Sequence, residues 1–134
     1  MAKLLNIGLL LDSQLRNNSD ITALTGQNIF PLGVPSTDDG GDEIEYPYII
    51  YGRTTISPEY AKHLHLSDSV LCTIDIWAKT YKEAIQIVEY ARESLDLLSG
   101  NYGGVKVQDS YLQSASEAFD LPGYYGQTLL FVFK

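Results

Sequence analysis

Apolar residues recur along this chain with two different periods, and the changes of period mark out its elements. Leu4, Ile7, Leu11 and Leu15 share one helical stripe, with Lys3, Asn6, Ser13 and Arg16 elsewhere, so the spacing predicts a first helix over Leu4–Arg16. Asn17-Asn18-Ser19-Asp20 breaks that pattern. Ser19 or Asp20 is expected to cap a short turn through Leu24 that Gly26 ends. A short apolar piece, Ile29-Phe30, stops at Pro31. Pro47 to Thr55, rich in Tyr and Ile, predicts a strand that opens on Pro47, where a missing donor is tolerated. From Ser69 to Ala78 the period is two. Val70, Cys72, Ile74, Ile76 and Ala78 fall on one face, and Leu71, Thr73, Asp75 and Trp77 on the other.

Thr80 to Leu98 predicts a second helix. Thr80-Tyr81-Lys82-Glu83 fits a capping box, Ala84, Ile87, Val88, Ala91, Leu95 and Leu98 form one stripe, and Gly100 sits where a stop is expected. Val105-Lys106-Val107 leads a strand on toward Leu112, and Glu117 to Gly123 is expected to be a connector. Tyr124 to Phe133 predicts a last strand with Tyr125, Gln127, Leu129, Phe131 and Phe133 on one face. Ser57 to Ser67 has no clear period, and a loop with one helical turn is expected there. The order predicts an α+β fold in one domain over residues 1–134: a mostly antiparallel sheet of four to five strands with two helices packed on one face. The other face would hold Leu71, Trp77, Leu130 and Val132 with no helix left to cover it, which invites a partner.

Charge sharpens this picture by where it lies. The chain of 134 residues carries 17 acids against 9 bases, a net charge of −8, and that balance argues against holding a phosphate backbone by charge. Between Arg16 and Arg53 there is no Lys or Arg, while Asp20, Asp38, Asp39, Asp42, Glu43 and Glu45 all fall there. Residues 33–45 are Pro, Gly, Ser, Thr and acid with almost nothing to bury, so a mobile acidic loop is expected. A single cysteine, Cys72, excludes an intramolecular disulfide and a cysteine-cluster zinc site. No apolar run approaches the roughly 20 residues of a membrane span. The opening Met-Ala-Lys runs straight into an amphipathic pattern, so no signal peptide is expected.

Candidate chemistry is sparse. His63 and His65 with Glu59 and Asp68 nearby could form a small metal- or ligand-binding module, but two imidazoles alone do not close a zinc site. The run Asp38-Asp39-Gly40-Gly41-Asp42-Glu43 has the composition of a calcium loop without its spacing. Asp75 is the one acid set well inside a strong strand, and a hydrolase built on it or on the acidic run is the weakest of the alternatives. No nucleophile-elbow, phosphate-loop, dinucleotide or zinc-protease motif occurs, so no catalytic, cofactor-binding or metal-binding residue is assigned. The unusual count is ten tyrosines, and tyrosine suits interfaces because it joins a large contact area to a polar tip. Tyr48, Tyr51, Trp77, Tyr124 and Tyr125 are the candidate oligomer contacts.

Three stretches occur in a telling order. Leu24-Thr25-Gly26-Gln27-Asn28-Ile29-Phe30-Pro31 follows the first helix, and Tyr46-Pro47-Tyr48-Ile49-Ile50-Tyr51 opens the next strand. Thr73-Ile74-Asp75-Ile76-Trp77-Ala78-Lys79-Thr80-Tyr81-Lys82-Glu83-Ala84 then joins a strand to the long helix. In this order they resemble the tail-completion, or tail-to-head joining (tail-terminator), family of long-tailed bacteriophages and prophages, over nearly the whole chain. The resemblance implies a structural protein of the virion tail, assembled in the host bacterial cytoplasm and without catalytic residues or cofactor. It implies a small α+β subunit that forms a ring with its own copies, commonly a hexamer, capping the tail tube and facing the head connector. DNA would pass through such a ring without specific binding. The acidic loop then has an expected role: Asp38, Asp39, Asp42, Glu43 and Glu45 would line the lumen and repel phosphate.

Overall fold

The computed structural model describes residues 4–35, 45–120 and 123–134. Three helices and seven strands follow one another as α1 (Ile7–Asn17), α2 (Ser19–Thr25), β1 (Ile29–Pro31), β2 (Tyr48–Ala61), β3 (Leu64–Ala78), α3 (Tyr81–Leu95), β4 (Gly100–Tyr102), β5 (Val105–Val107), β6 (Ser110–Asp120) and β7 (Tyr124–Phe133). Five strands form a sheet in the order β1-β2-β3-β7-β6, and β4 and β5 form a separate ribbon. The α+β class holds, with two differences from expectation. The described residues hold three helices rather than two, because the turn after Asn18 closes as α2. The sheet is mixed, because β1 pairs with β2 in parallel while β2–β3, β3–β7 and β7–β6 are antiparallel.

The sheet's inner face is the core. Register sets Ile49 opposite Ile76 and Tyr51 opposite Ile74, and sets Cys72 opposite Phe131 and Val70 opposite Phe133. Leu4 ahead of α1, Ile7, Leu10, Leu11 and Leu15 from α1, and Ile87, Ala91 and Leu95 from α3 cover them, all fully buried. Each such aliphatic or phenyl side chain contributes about 1.5–3 kcal/mol on leaving water. α1 begins at Ile7 rather than Leu4. Leu4 still joins the core, because its backbone N–H donates to the buried Asp68 carboxylate at 3.0 Å.

Capping explains where the helices stop. Asn18, rather than Ser19 or Asp20, caps α2, its side-chain oxygen accepting from the Asp20 and Ile21 amides at 2.9 and 3.3 Å. Thr80 caps α3 by accepting from Glu83 N–H at 3.2 Å. That helix ends at Leu95, three residues before the expected Leu98. The buried Ser110 hydroxyl donates to the Leu95 carbonyl at 2.7 Å and accepts from Leu98 N–H at 2.7 Å. The chain is thereby turned onto the sheet edge, and Leu97 takes a positive φ of 56°.

The largest correction concerns residues 57–67. They are strand, not loop: β2 and β3 run together as a long hairpin closed by Lys62 and His63 at φ 48° and 66°. Two consecutive left-handed residues are what a two-residue hairpin turn requires. β3 meets β7 only from Val70 onward, and β2 meets β1 only over Ile49–Tyr51. The outer half of the hairpin therefore has only itself as a sheet partner and stands about 15 Å beyond the sheet at the usual rise per residue. The expected Glu117–Gly123 connector is likewise strand as far as Asp120, and the expected Val105–Leu112 strand is split between β5 and β6.

Candidate assembly surfaces

Four of the five candidate contact aromatics lie at one end of the sheet, where β2 and β7 begin and β3 ends, with Tyr48, Trp77 and Tyr124 on one face and Tyr125 on the other. Tyr48 pairs with Trp77, and Trp77 with Gly126. The indole lies flat against that glycine: a Cβ there would sit 2.8 Å from the ring. Tyr124 stacks on Tyr46 with ring centres 4.0 Å apart and planes at 6°, and Tyr46 tilts onto Tyr48 at 4.8 Å. Burial, then the hydrogen bond with Tyr46, pushes the Tyr48 hydroxyl well above its ordinary pKa.

Tyr125 points to the opposite face, as alternation demands, and meets Tyr81 and Phe119 edge-on at 5.8 and 5.1 Å. Tyr81 donates to the Glu117 carboxylate, which also accepts from Gln127 Nε2 at 2.7 Å. Those donors, Gln127 first and Tyr81 second, hold the Glu117 carboxyl below its ordinary range. Tyr46, Tyr81 and Phe119 are thus members of the cluster that the sequence did not single out. The run Tyr46-Pro47-Tyr48 was the available signal for the first, since it places two rings beside each other at a strand mouth.

Tyr51 lies elsewhere. It is on the inner face, 6% exposed, and donates its hydroxyl to Asp12 at 2.9 Å. Burial, and then that bond, pushes its pKa up to about 12. Of the uncovered face expected from the sequence, Leu71, Trp77 and Leu130 are half-buried on the outer side of the sheet, whereas Val132 is buried. Leu71 lies opposite Val132 and Thr73 opposite Leu130, with Ile50, Leu71, Trp77 and Leu130 half-buried and, among the described residues, no helix over them. In its middle Thr128 donates to Asp75 at 2.6 Å, so Asp75 is a strand carboxylate bound to its cross-strand neighbour.

The remaining candidates carry little chemistry. His63 is exposed at the hairpin turn, and among the described residues no group of three or more His, Cys, Asp or Glu is arranged to hold a metal ion. Of the acidic loop, Glu45 is exposed and its carbonyl accepts from Asn28 Nδ2 at 2.9 Å, whereas Asp38, Asp39, Asp42 and Glu43 lie outside the described residues. What the molecule presents is contact surface: an aromatic end, an apolar sheet face and a projecting hairpin.

The sequence profile of the family described as Tail completion protein gp17 matches residues 11–123. The chain belongs to that family. This tail completion protein is therefore a structural protein of a bacteriophage-type tail, and the family is one of tail components rather than enzymes. Its fold is similar to that of a chain in the virion of a native gene transfer agent (GTA) particle, with a TM-score of 0.74, 14% identity, and 92% of this chain and 90% of the other covered. At that identity the likeness speaks to the fold. No curated protein matches the tail completion protein. Among its described residues no helix is long and apolar enough to cross a membrane.

Proposed function

We propose that the chain is a tail terminator: copies of it form a ring, commonly six, that caps the tail tube and joins it to the head connector. The observation that carries this is the surplus of contact surface on a protein of the tail completion family. Tyr48, Trp77, Tyr124 and Tyr125 lie at one end, and the outer sheet face keeps Leu71 and Leu130 half-buried with no helix above them among the described residues. Aromatic and aliphatic groups at a surface of this kind favour association, since burying them removes apolar area from water. The acidic residues Asp38, Asp39, Asp42, Glu43 and Glu45 would then face a lumen, where a negative wall keeps the duplex from adhering.

The test is genetic and visual. Particles lacking the protein should show tails that do not stop at a fixed length or do not join heads, and purified protein added back should restore both. Electron microscopy of the purified protein, alone and bound to tube ends, should show rings. Tails of normal length carrying heads in the protein's absence would overturn the assignment.

A further inference from the structure

We infer that the far half of the β6 edge accepts an added strand: an extended segment with a basic residue between apolar ones, carried by a partner other than a copy of this chain. This contact is independent of the ring proposed above.

The two edges of the sheet differ in how their backbone groups are used. At β1 the chain closes the edge with its own atoms. Asn28 C=O and Leu32 N–H turn to β2, which leaves Ile29 and Pro31 facing out. Ile29 N–H donates to Gln27 C=O at 2.9 Å, and Ile29 C=O accepts from the Arg16 guanidinium. Pro31 has no N–H, and its carbonyl accepts from Gly33 N–H at 2.8 Å. The near part of β6 is closed in the same manner. Ser110 C=O accepts from Leu97 N–H at 2.8 Å, and Leu112 N–H donates to Asp96 Oδ1 at 3.1 Å. The closure stops at Gln113, where the pairing steps from Leu112–Phe131 to Ser114–Leu130. That bulge exchanges inward and outward residues. Ser114, Ser116, Ala118 and Asp120 then face β7, while Ala115, Glu117 and Phe119 turn N–H and C=O away from it. Among the described residues no hydrogen bond closes these six groups.

Such an edge is a template for another extended backbone, and its side chains say which kind. The donors to the Glu117 carboxylate, Tyr81 and Gln127, are both neutral, so its charge stays uncancelled. β6 and β7 carry Glu117 and Asp120 and no Lys or Arg. Phe119, on the same face as Glu117, is 58% exposed. An added strand therefore gains most from a basic residue across from Glu117 and an apolar one across from Phe119.

Among the described residues, a second copy offers no such strand. Its β1 edge is closed. Its hairpin arm carries Pro58 on β2, and on β3 the pairing skips Leu66 between His65 and Ser67. Proline and bulges are what keep an edge from pairing. Two β6 strands can satisfy all six groups in antiparallel register only with Glu117 against Glu117, a destabilising like-charge pair. Residues 36–44 bring four acids and no base.

The test uses the isotope-labelled full chain and, as probe, the peptide acetyl-Thr-Val-Thr-Lys-Thr-Val-Thr-amide, read by NMR of the backbone amides. Shifts should centre on Ala115, Glu117 and Phe119 and saturate by millimolar peptide. The same peptide N-methylated at both valines and the lysine, whose N–H groups would face β6, should give none. Ala115→Pro removes one outward N–H and no bond to β7, a place where an edge strand tolerates proline. It should weaken binding about fivefold or more. Glutamate in place of the peptide's lysine should weaken it about threefold or more. No shifts at these three residues, or equal binding of the N-methylated peptide, overturns the added strand. Equal binding of the glutamate peptide overturns the basic partner. Shifts at the same amides that grow with protein concentration alone would assign the edge to a second copy and overturn the inference.

Discussion

Replacing Ser110 by alanine should cost more than any other single loss of a hydroxyl described above. Its side chain is wholly buried and serves two backbone groups at once, donating to Leu95 C=O and accepting from Leu98 N–H, both at 2.7 Å. Alanine fits the space but leaves a helix-terminal carbonyl and a half-buried amide without partners. Each stranded group costs about 1–3 kcal/mol, and the amide, nearer to water, falls at the low end. The sum is about 2–4 kcal/mol. For a chain of this length each kcal/mol lowers Tm by roughly 3–5 °C, so the midpoint should fall by about 6–20 °C. Urea and thermal unfolding followed by circular dichroism measure both quantities. Ser114→Ala, exposed on the same strand, is the control and should change stability by less than about 0.5 kcal/mol. If Ser110→Ala also falls within that range, the hydroxyl does not anchor the end of α3 as described.

Three further outcomes follow from other sites. Tyr51 has its pKa raised from 10.0 to about 12 in the folded protein. Its contribution is therefore complete below pH 10 and lost as pH rises through about 12. Urea midpoints measured across that window should fall for the native protein and fall less for Tyr51→Phe, and equal slopes would refute the assignment. Gly126→Ala should push the indole of Trp77 away, since the new Cβ would lie 2.8 Å from it. As this is the chain's one tryptophan, its emission should shift while stability drops by about 1–3 kcal/mol, and an unchanged spectrum would contradict the packing. Neutralising Asp38, Asp39, Asp42, Glu43 and Glu45 together should leave particles assembled but slow DNA delivery, and particles that deliver normally would remove the lumen role.

How far the sequence revealed this arrangement depended on whether a segment has one wet face and one dry. The inner half of β3 has that asymmetry, so its alternation matched the burial residue by residue: Val70, Cys72, Ile74 and Ile76 are all inaccessible, whereas β7 keeps the alternation only in part, with Val132 buried beside Phe131 and Phe133. α3 was equally legible from its stripe and its threonine cap. The hairpin arm was not, because both its faces meet solvent and nothing imposes a period. Its turn also uses Lys62 and His63, where glycine or asparagine would have signalled left-handed backbone. The parallel pairing of β1 rests on three residues and is decided by distant packing. At the aromatic end, a tyrosine count alone puts Tyr48 and Tyr51 together, although odd and even positions of a strand face opposite ways. Applying that rule to β2 would have sent Tyr51 inward and kept Tyr48 with Trp77.

One detail of the β1–β2 pairing bears on what sets this edge of the sheet. The strands are held in register at both roots of the stretch that joins them, by Leu32 N–H to Tyr51 C=O at 2.8 Å and Ile49 N–H to Asn28 C=O at 2.9 Å, with the Asn28 amide clasping Glu45. Loop-closure entropy grows slowly with length, about 0.6 kcal/mol for each doubling of a flexible connection. The pairing of β1 with β2 is thus fixed by backbone groups at the two ends of the connection, so the register of this sheet edge does not hang on the residues between them.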